Sequence, residues 1–162
     1  MRPAAPSPSP DDAVPPFQIS RRDRVLALAG VLAALLLSGL DQTIVATAGP
    51  EIQRSLRIPA ALYAWLTTAY LIALTVFLPI WGKLSDLYGR KPALVAGVVL
   101  FLTGSTFAGL APGTVTLLVA RAVQGLGAAS LFTSTLAVIA DLFPPAERGK
   151  YMGLIGGVMG LS

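Results

Sequence analysis

The chain has 162 residues, 54% of them hydrophobic and only 12% charged, and its mean hydropathy is +0.72. A water-soluble domain carries about twice that charged share, so a bilayer is the expected solvent. The chain has no cysteine, which excludes disulfides, iron–sulfur clusters and thiolate metal sites, and no histidine, which confines any proton relay to carboxylates.

Residues 1–20 contain Pro3, Pro6, Pro8, Pro10, Pro15 and Pro16 among small polar residues, with none of the apolar periodicity a core needs. A disordered, partly polyproline tail is expected there. Arg21, Arg22 and Arg24 then lead into an apolar run over residues 25–48. A basic stretch before an apolar one also suits a signal peptide, but a signal core is about 7–15 residues long, and Asp41 interrupts this longer run. At 1.5 Å per residue the run reaches roughly 36 Å, enough to cross a ~30 Å hydrocarbon core with some tilt. A retained transmembrane helix is expected.

Residues 59–82 form a second uncharged run, with Pro59 at its start and Trp65 and Trp81 near its ends. Along a helix those tryptophans lie roughly 24 Å apart, a spacing suited to the two interfacial aromatic belts. GKLSDLYGRKP, from Gly82 to Pro92, follows. Its turn glycine Gly89, its cationic pair Arg90-Lys91 and its lone acid Asp86 predict a tight cytoplasmic turn, with Pro92 in the first turn of the next helix. Asp86 is placed to cap a helix end or to pair with Arg90.

Residues 92–140 hold a single charge, Arg121. One helix of that length would be roughly 70 Å long, so Ala111-Pro112-Gly113 is read as a turn dividing spans 93–111 and 114–140. Residues 141–150, DLFPPAERGK, are polar and proline-broken and predict a loop. The last apolar run, residues 151–162, is too short to cross and is read as the start of a fifth span of a longer protein. The expected fold class is an all-α polytopic membrane protein, with one partial transmembrane domain over residues 21–162.

The net charge of +4 does not point to nucleic acid, because the cations flank apolar runs instead of forming a stripe. They concentrate in the tail, in the turn after the second span and in the loop after the fourth. The positive-inside rule then places the N-terminus in the cytoplasm of a multi-pass protein of the cell membrane.

Asp41 and Arg121 are the ionisable residues within the expected spans. Each costs on the order of 2.5–3.5 kcal/mol to insert, so such groups face a cavity or each other. Counting from the outer ends of the first and fourth spans, each lies roughly 10 Å deep. Equal depth permits a pair; separate solvation of the two charges is the alternative. Gln124 and Gly125 follow Arg121 at i+3 and i+4 and share its face. The small residues of GLGAA, and the overlapping pairs Gly153/Gly157 and Gly156/Gly160, let neighbouring helices approach closely.

On these motifs the chain resembles the major facilitator superfamily, from about Arg21 to Ser162. GKLSDLYGRKP is similar to that superfamily's signature turn between the second and third spans, with Leu87 standing where an arginine is usual. LLVARAVQGLGAA, Leu117 to Ala129, is similar to the fourth-span motif of proton-coupled members. LDQTIVATAGP, Leu40 to Pro50, resembles the first-span motif of fourteen-span drug:proton antiporters of the EmrB/QacA type, with Ala46 in place of the common asparagine and Gly49 in place of leucine. The fifth-span antiporter motif would begin around Gly153, and its Gly-Pro falls outside this sequence.

The resemblance implies the first four helices and the start of the fifth of a major-facilitator N-terminal bundle, working by alternating access around a mid-membrane cavity. The implied function is proton-coupled efflux of lipophilic or cationic small molecules across the lipid bilayer, with the proton gradient as energy source and no cofactor. Desolvation favours a neutral carboxyl at Asp41 and a nearby Arg121 favours the carboxylate, so a change in their separation would load and release a proton. Thr43, Gln124 and Gly125 are assigned to the substrate cavity, and Tyr70 or Phe107 to contact with an apolar drug. A symporter or uniporter for a nutrient or metabolite, and a non-transporting membrane scaffold, are the other classes weighed. The spans hold no constellation that reads as an enzyme active site.

Overall fold

The computed structural model describes residues 21–161; the proline-rich segment 1–20 lies outside the described residues. The regular structure of the described residues is helical: α1 (Arg21–Ser55), α2 (Ala60–Tyr88), α3 (Arg90–Gly109), α4 (Thr114–Leu142) and α5 (Pro145–Leu161). The first four are long and apolar enough to cross a membrane. Alternating directions bring the α1–α2 and α3–α4 connections to one end of the bundle and the Gly89 turn and the α4–α5 connection to the other.

Helix α4 is the centre of the bundle. Of its apolar window 56% is buried among the described residues, against 17% to 22% in the other three spans. It packs chiefly on α2 and α3, and more lightly on α1 and α5. The small residues downstream of Arg121 make this possible. Gly125 lies against the α2 backbone, where an added Cβ would stand 2.3 Å from the Tyr70 carbonyl oxygen. Gly127 lies as closely against α3, at Phe101. The overlapping glycine pairs of α5 have open space around them instead.

The helices outrun the apolar runs that predict them. Helix α1 does not stop near residue 48 but continues through Pro50 to Ser55. A hydropathy run marks what lipid can solvate, whereas the helix persists where polar side chains meet water; one lost amide donor at Pro50 does not stop it. The end itself is a Schellman cap, with Ile58 N–H donating to the Gln53 carbonyl (2.9 Å) and Arg57 N–H to the Arg54 carbonyl (3.2 Å). Arg57 takes the left-handed position (φ 50°), and Ile58 packs with Ile52 as that motif's apolar contact.

The turn expected over Gly82–Pro92 shrinks to one residue. Helix α2 runs on to Tyr88 and α3 begins at Arg90, with only Gly89 between them at φ 96°. Gly82 is therefore an ordinary helical residue rather than part of a turn. Its correction follows from the same cause, since LSDLY is polar enough to leave the lipid yet still a good helix. Trp81 is half-buried within α2, and its indole N–H donates to the Leu126 carbonyl of α4 (3.0 Å). The loop expected over residues 141–150 reduces to Phe143 and Pro144. Arg148 of α5 closes it by donating to the Phe143 and Ala140 carbonyls at 3.0 and 2.7 Å, which caps the end of α4.

Candidate functional site

Arg121 sits on the buried face of α4 with 1% of its side chain exposed, a position no cation holds without partners. Its Nη1 donates to Asp41 Oδ2 at 2.5 Å and to Gln124 Oε1 at 2.9 Å, and its Nε to the Leu66 carbonyl of α2 at 3.3 Å. Gln124 Nε2 closes the ring by donating to the other carboxylate oxygen, Asp41 Oδ1, at 2.9 Å. The i, i+3 spacing of Arg121 and Gln124 thus lets both side chains grip one carboxylate from α1. Asp41 is 14% exposed, so the ion pair is nearly dry.

The guanidinium also lies over the ring of Tyr70, 4.7 Å from its centroid, and the Tyr70 hydroxyl shares a 3.0 Å hydrogen bond with Ser38. Ser38 is one helical turn before Asp41 on α1. Tyr70 therefore supports the pair from α2 while touching the helix that carries the carboxylate. Removing either ion would leave the other buried and uncompensated, at a cost of about 3–5 kcal/mol.

Next to the pair is a cavity of about 210 Å³, lined by Asp41, Arg121 and Gln124 together with Ile52, Ser105 and Leu117 among others. Thr43 is not part of it: the residue is exposed, and its hydroxyl donates back to the Gly39 carbonyl at 3.5 Å. Gly125 belongs to the α2–α4 seam and does not line this cavity. Phe107 is exposed, and Tyr70 lies beneath Arg121. Neither contributes to the lining of this cavity.

The signature-turn residues form a second polar cluster, roughly 30 Å along α4 from Arg121. Arg90 pairs with Asp86 of α2, donates to Ser85 Oγ at 3.1 Å, and donates through Nε to Asp141 of α4 at 2.9 Å. It joins the α2–α3 turn to the end of α4. Lys91 is exposed beside it. Sequence reasoning gave Asp141 no role, and it named Tyr70 as a drug contact without placing it under Arg121. The depth count applied to Asp41 and Arg121 places Tyr70 deeper, about 16 Å from the outer start of the second span, and Asp141 gave no signal, having been assigned to a loop.

The sequence profile of the Major Facilitator Superfamily matches residues 31–162. The chain is 44% identical over 133 residues to Multidrug resistance protein 3 of Bacillus subtilis (strain 168), covering 82% of this chain and 26% of that protein. It is 43% identical over 137 residues to Efflux pump dotC of Dothistroma septosporum, covering 85% and 23%. To Multidrug transporter protein MdtP of Bacillus subtilis (strain 168) it is 39% identical over 139 residues, covering 86% and 26%. The chain thus spans about a quarter of the length of these relatives.

Proposed function

The chain belongs to the Major Facilitator Superfamily, and from that premise we propose that the protein carrying it is a proton-coupled exporter of lipophilic or cationic small molecules, of the fourteen-span EmrB/QacA type. The observation that carries this reading is the buried ring of Asp41, Arg121 and Gln124 joining α1 to α4. It is supported by the names of the relatives, among them two multidrug proteins and an efflux pump.

In the paired state Arg121 and Gln124 bond both side-chain oxygens of Asp41, and α1 is clasped to α4. A proton arriving at Asp41 neutralises it and removes the Coulombic part of the clasp, leaving Arg121 to Gln124 and the Leu66 carbonyl. With the charge cancelled, α1 is free to shift against α4, and the clasp reforms when the proton leaves. Because the group that binds the proton also ties two helices together, proton binding biases one conformation over another. The energy source is the proton gradient, with no cofactor. The protein sits in the cell membrane with its N-terminus and the Gly89 turn in the cytoplasm, as its cation distribution favours.

The test is transport itself. In a transport-competent form of the protein reconstituted in sealed vesicles, Asp41→Asn loses efflux driven by a pH gradient, and Asp41→Glu retains part of it. Normal coupled efflux by Asp41→Asn would move the proton site elsewhere. Arg121→Lys keeps the charge without the planar fork, and falls between wild type and Arg121→Ala.

A further inference from the structure

Helices α1 and α2 are joined by a short connection, yet their backbones scarcely meet along the bundle, where both pack on α4 instead. Two phenols of α2 cross the gap. The Tyr70 hydroxyl shares its 3.0 Å hydrogen bond with Ser38, and the Tyr63 hydroxyl reaches α1 at Gly49. Tyr63 and Tyr70 lie about two helical turns apart on α2, and Ser38 and Gly49 about three turns apart on α1, so each pair shares one helix face. Asp41 lies between the two contacts on α1, about one turn from Ser38 and two from Gly49.

Gly49 is buried, and a Cβ there would stand 2.2 Å from the Tyr63 phenol oxygen and 3.2 Å from its ring carbon Cζ. The oxygen thus occupies the space in which any other residue at 49 would begin its side chain. In the first-span motif that this segment resembles, leucine is common at that position. Here α2 fills the space from the other side, with a tyrosine. Two further features make the contact a fixed point of α1. Tyr63 and Ile52 of α1 pack on one apolar cluster with Leu66 of α2 and Leu117 of α4, which anchors the end of α1 nearest the connection. Pro50 has no N–H to give the Ala46 carbonyl, so the hydrogen-bond ladder of α1 is interrupted between that anchored end and Asp41.

We propose that Tyr63 is a positioning residue for Asp41: its phenol, seated on Gly49, fixes the connection end of α1, so that the helix swings about residues 49–50 when the Asp41–Arg121 clasp opens and returns the carboxylate in register when it closes. The inference rests on Asp41 being the proton site. Without the seat, α1 slides as a whole against α2 and α4, and the carboxylate must find Arg121 and Gln124 anew in each cycle. Tyr63 acts on that return, and so governs turnover rather than affinity.

The test is a double-mutant cycle in the transport-competent protein, with proton-driven ethidium efflux, ethidium affinity and thermal stability measured for each variant. Gly49→Ala drives a methyl group against the phenol oxygen, which is the far end of a side chain and swings off its seat. Turnover should fall by about 10- to 100-fold with ethidium affinity unchanged. Tyr63→Phe removes the obstructing oxygen, and in Gly49→Ala/Tyr63→Phe the alanine methyl takes the place the oxygen left. The double variant should recover turnover to within about twofold of Tyr63→Phe alone, which independent effects cannot give. Tyr63→Leu keeps apolar bulk in the cluster without reaching Gly49; it should also slow turnover, and it carries the test if Gly49→Ala does not insert. Gly30→Ala, on the same helix with nothing within 4 Å of its Cβ position, should transport as the wild type does. Wild-type turnover in Gly49→Ala or Tyr63→Leu overturns the inference, as does a loss in Gly49→Ala that Tyr63→Phe leaves unrepaired. Turnover that merely follows thermal stability across the cycle overturns it too, since packing alone would do that. If Asp41→Asn keeps coupled efflux, the proposed function fails and takes this inference with it; if Asp41→Asn loses efflux while the cycle is additive, only the positioning role fails.

Discussion

Gly125→Ala adds one methyl group to the seam on which the ion pair depends. The new Cβ would stand 2.3 Å from the Tyr70 carbonyl oxygen and 3.0 Å from Ala73 Cβ, where ordinary contact begins at 3.4 Å. The obstruction is helix backbone, which cannot rotate aside as a side chain does, so α4 must back away from α2 by about 1 Å. Overpacking of this kind costs typically ~1–3 kcal/mol, and the better helix propensity of alanine offsets up to ~1 kcal/mol of that. A net loss of about 1–2 kcal/mol is expected. The same displacement would break the 3.3 Å bond from Arg121 Nε to the Leu66 carbonyl and slide the guanidinium off Tyr70. Misplacement of a working group by an ångström can lower turnover by about 10²-fold. The assay is reversible unfolding in a bilayer mimic, paired with efflux measurements. Gly153→Ala is the control, because nothing lies within 4 Å of its Cβ position. If Gly125→Ala proves as stable and active as Gly153→Ala, the close α2–α4 contact is not what holds the pair in place.

Three further outcomes are expected. Tyr70→Phe keeps the ring beneath Arg121 and loses only the hydroxyl bond to Ser38, about 1 kcal/mol, whereas Tyr70→Leu also loses a cation–π contact of ~0.5–2 kcal/mol; equal thermal stability of the two would show that the ring does not support Arg121. Asp86 and Asp141 are 66% and 52% exposed, so Asp86→Asn and Asp141→Asn should each change unfolding free energy by less than about 1 kcal/mol while slowing transport; unchanged transport kinetics would reduce the Arg90 cluster to a topological marker. Leu87 is 68% exposed beside the Gly89 turn; Leu87→Cys should react with impermeant reagents from the cytoplasmic side and Ser55→Cys from the opposite side, and the reverse result would invert the orientation.

The layer containing the ion pair was legible because it needs only the helical rise: equal counts from the same surface put Asp41 and Arg121 at equal depth, and the structure joins them. What lay beyond reach was the work of the neighbours. Gln124 shares Arg121's face, but a count along one helix cannot show that its amide turns to a carboxylate on another. Gly125 reads the same whether a helix or a ligand lies against it, and only the α2 backbone decides. The helix ends were misplaced for a different reason. Hydropathy reports the thickness of the lipid, and α1, at 35 residues or roughly 52 Å, extends well past it at both ends. The extension matters at Gly82–Tyr88, where helix rather than turn carries Asp86 on the same face as Arg90's guanidinium and within its reach.

Assignment of the proton to Asp41 can be measured without transport. If the proposed exchange of substrate for proton takes place at Asp41, purified transport-competent protein in weakly buffered solution should release protons when ethidium binds. A pH-sensitive dye reads the release. The wild type should release about one proton per ethidium bound, and Asp41→Asn should bind ethidium with no release. Undiminished proton release from Asp41→Asn would contradict the assignment and place the coupling carboxylate elsewhere.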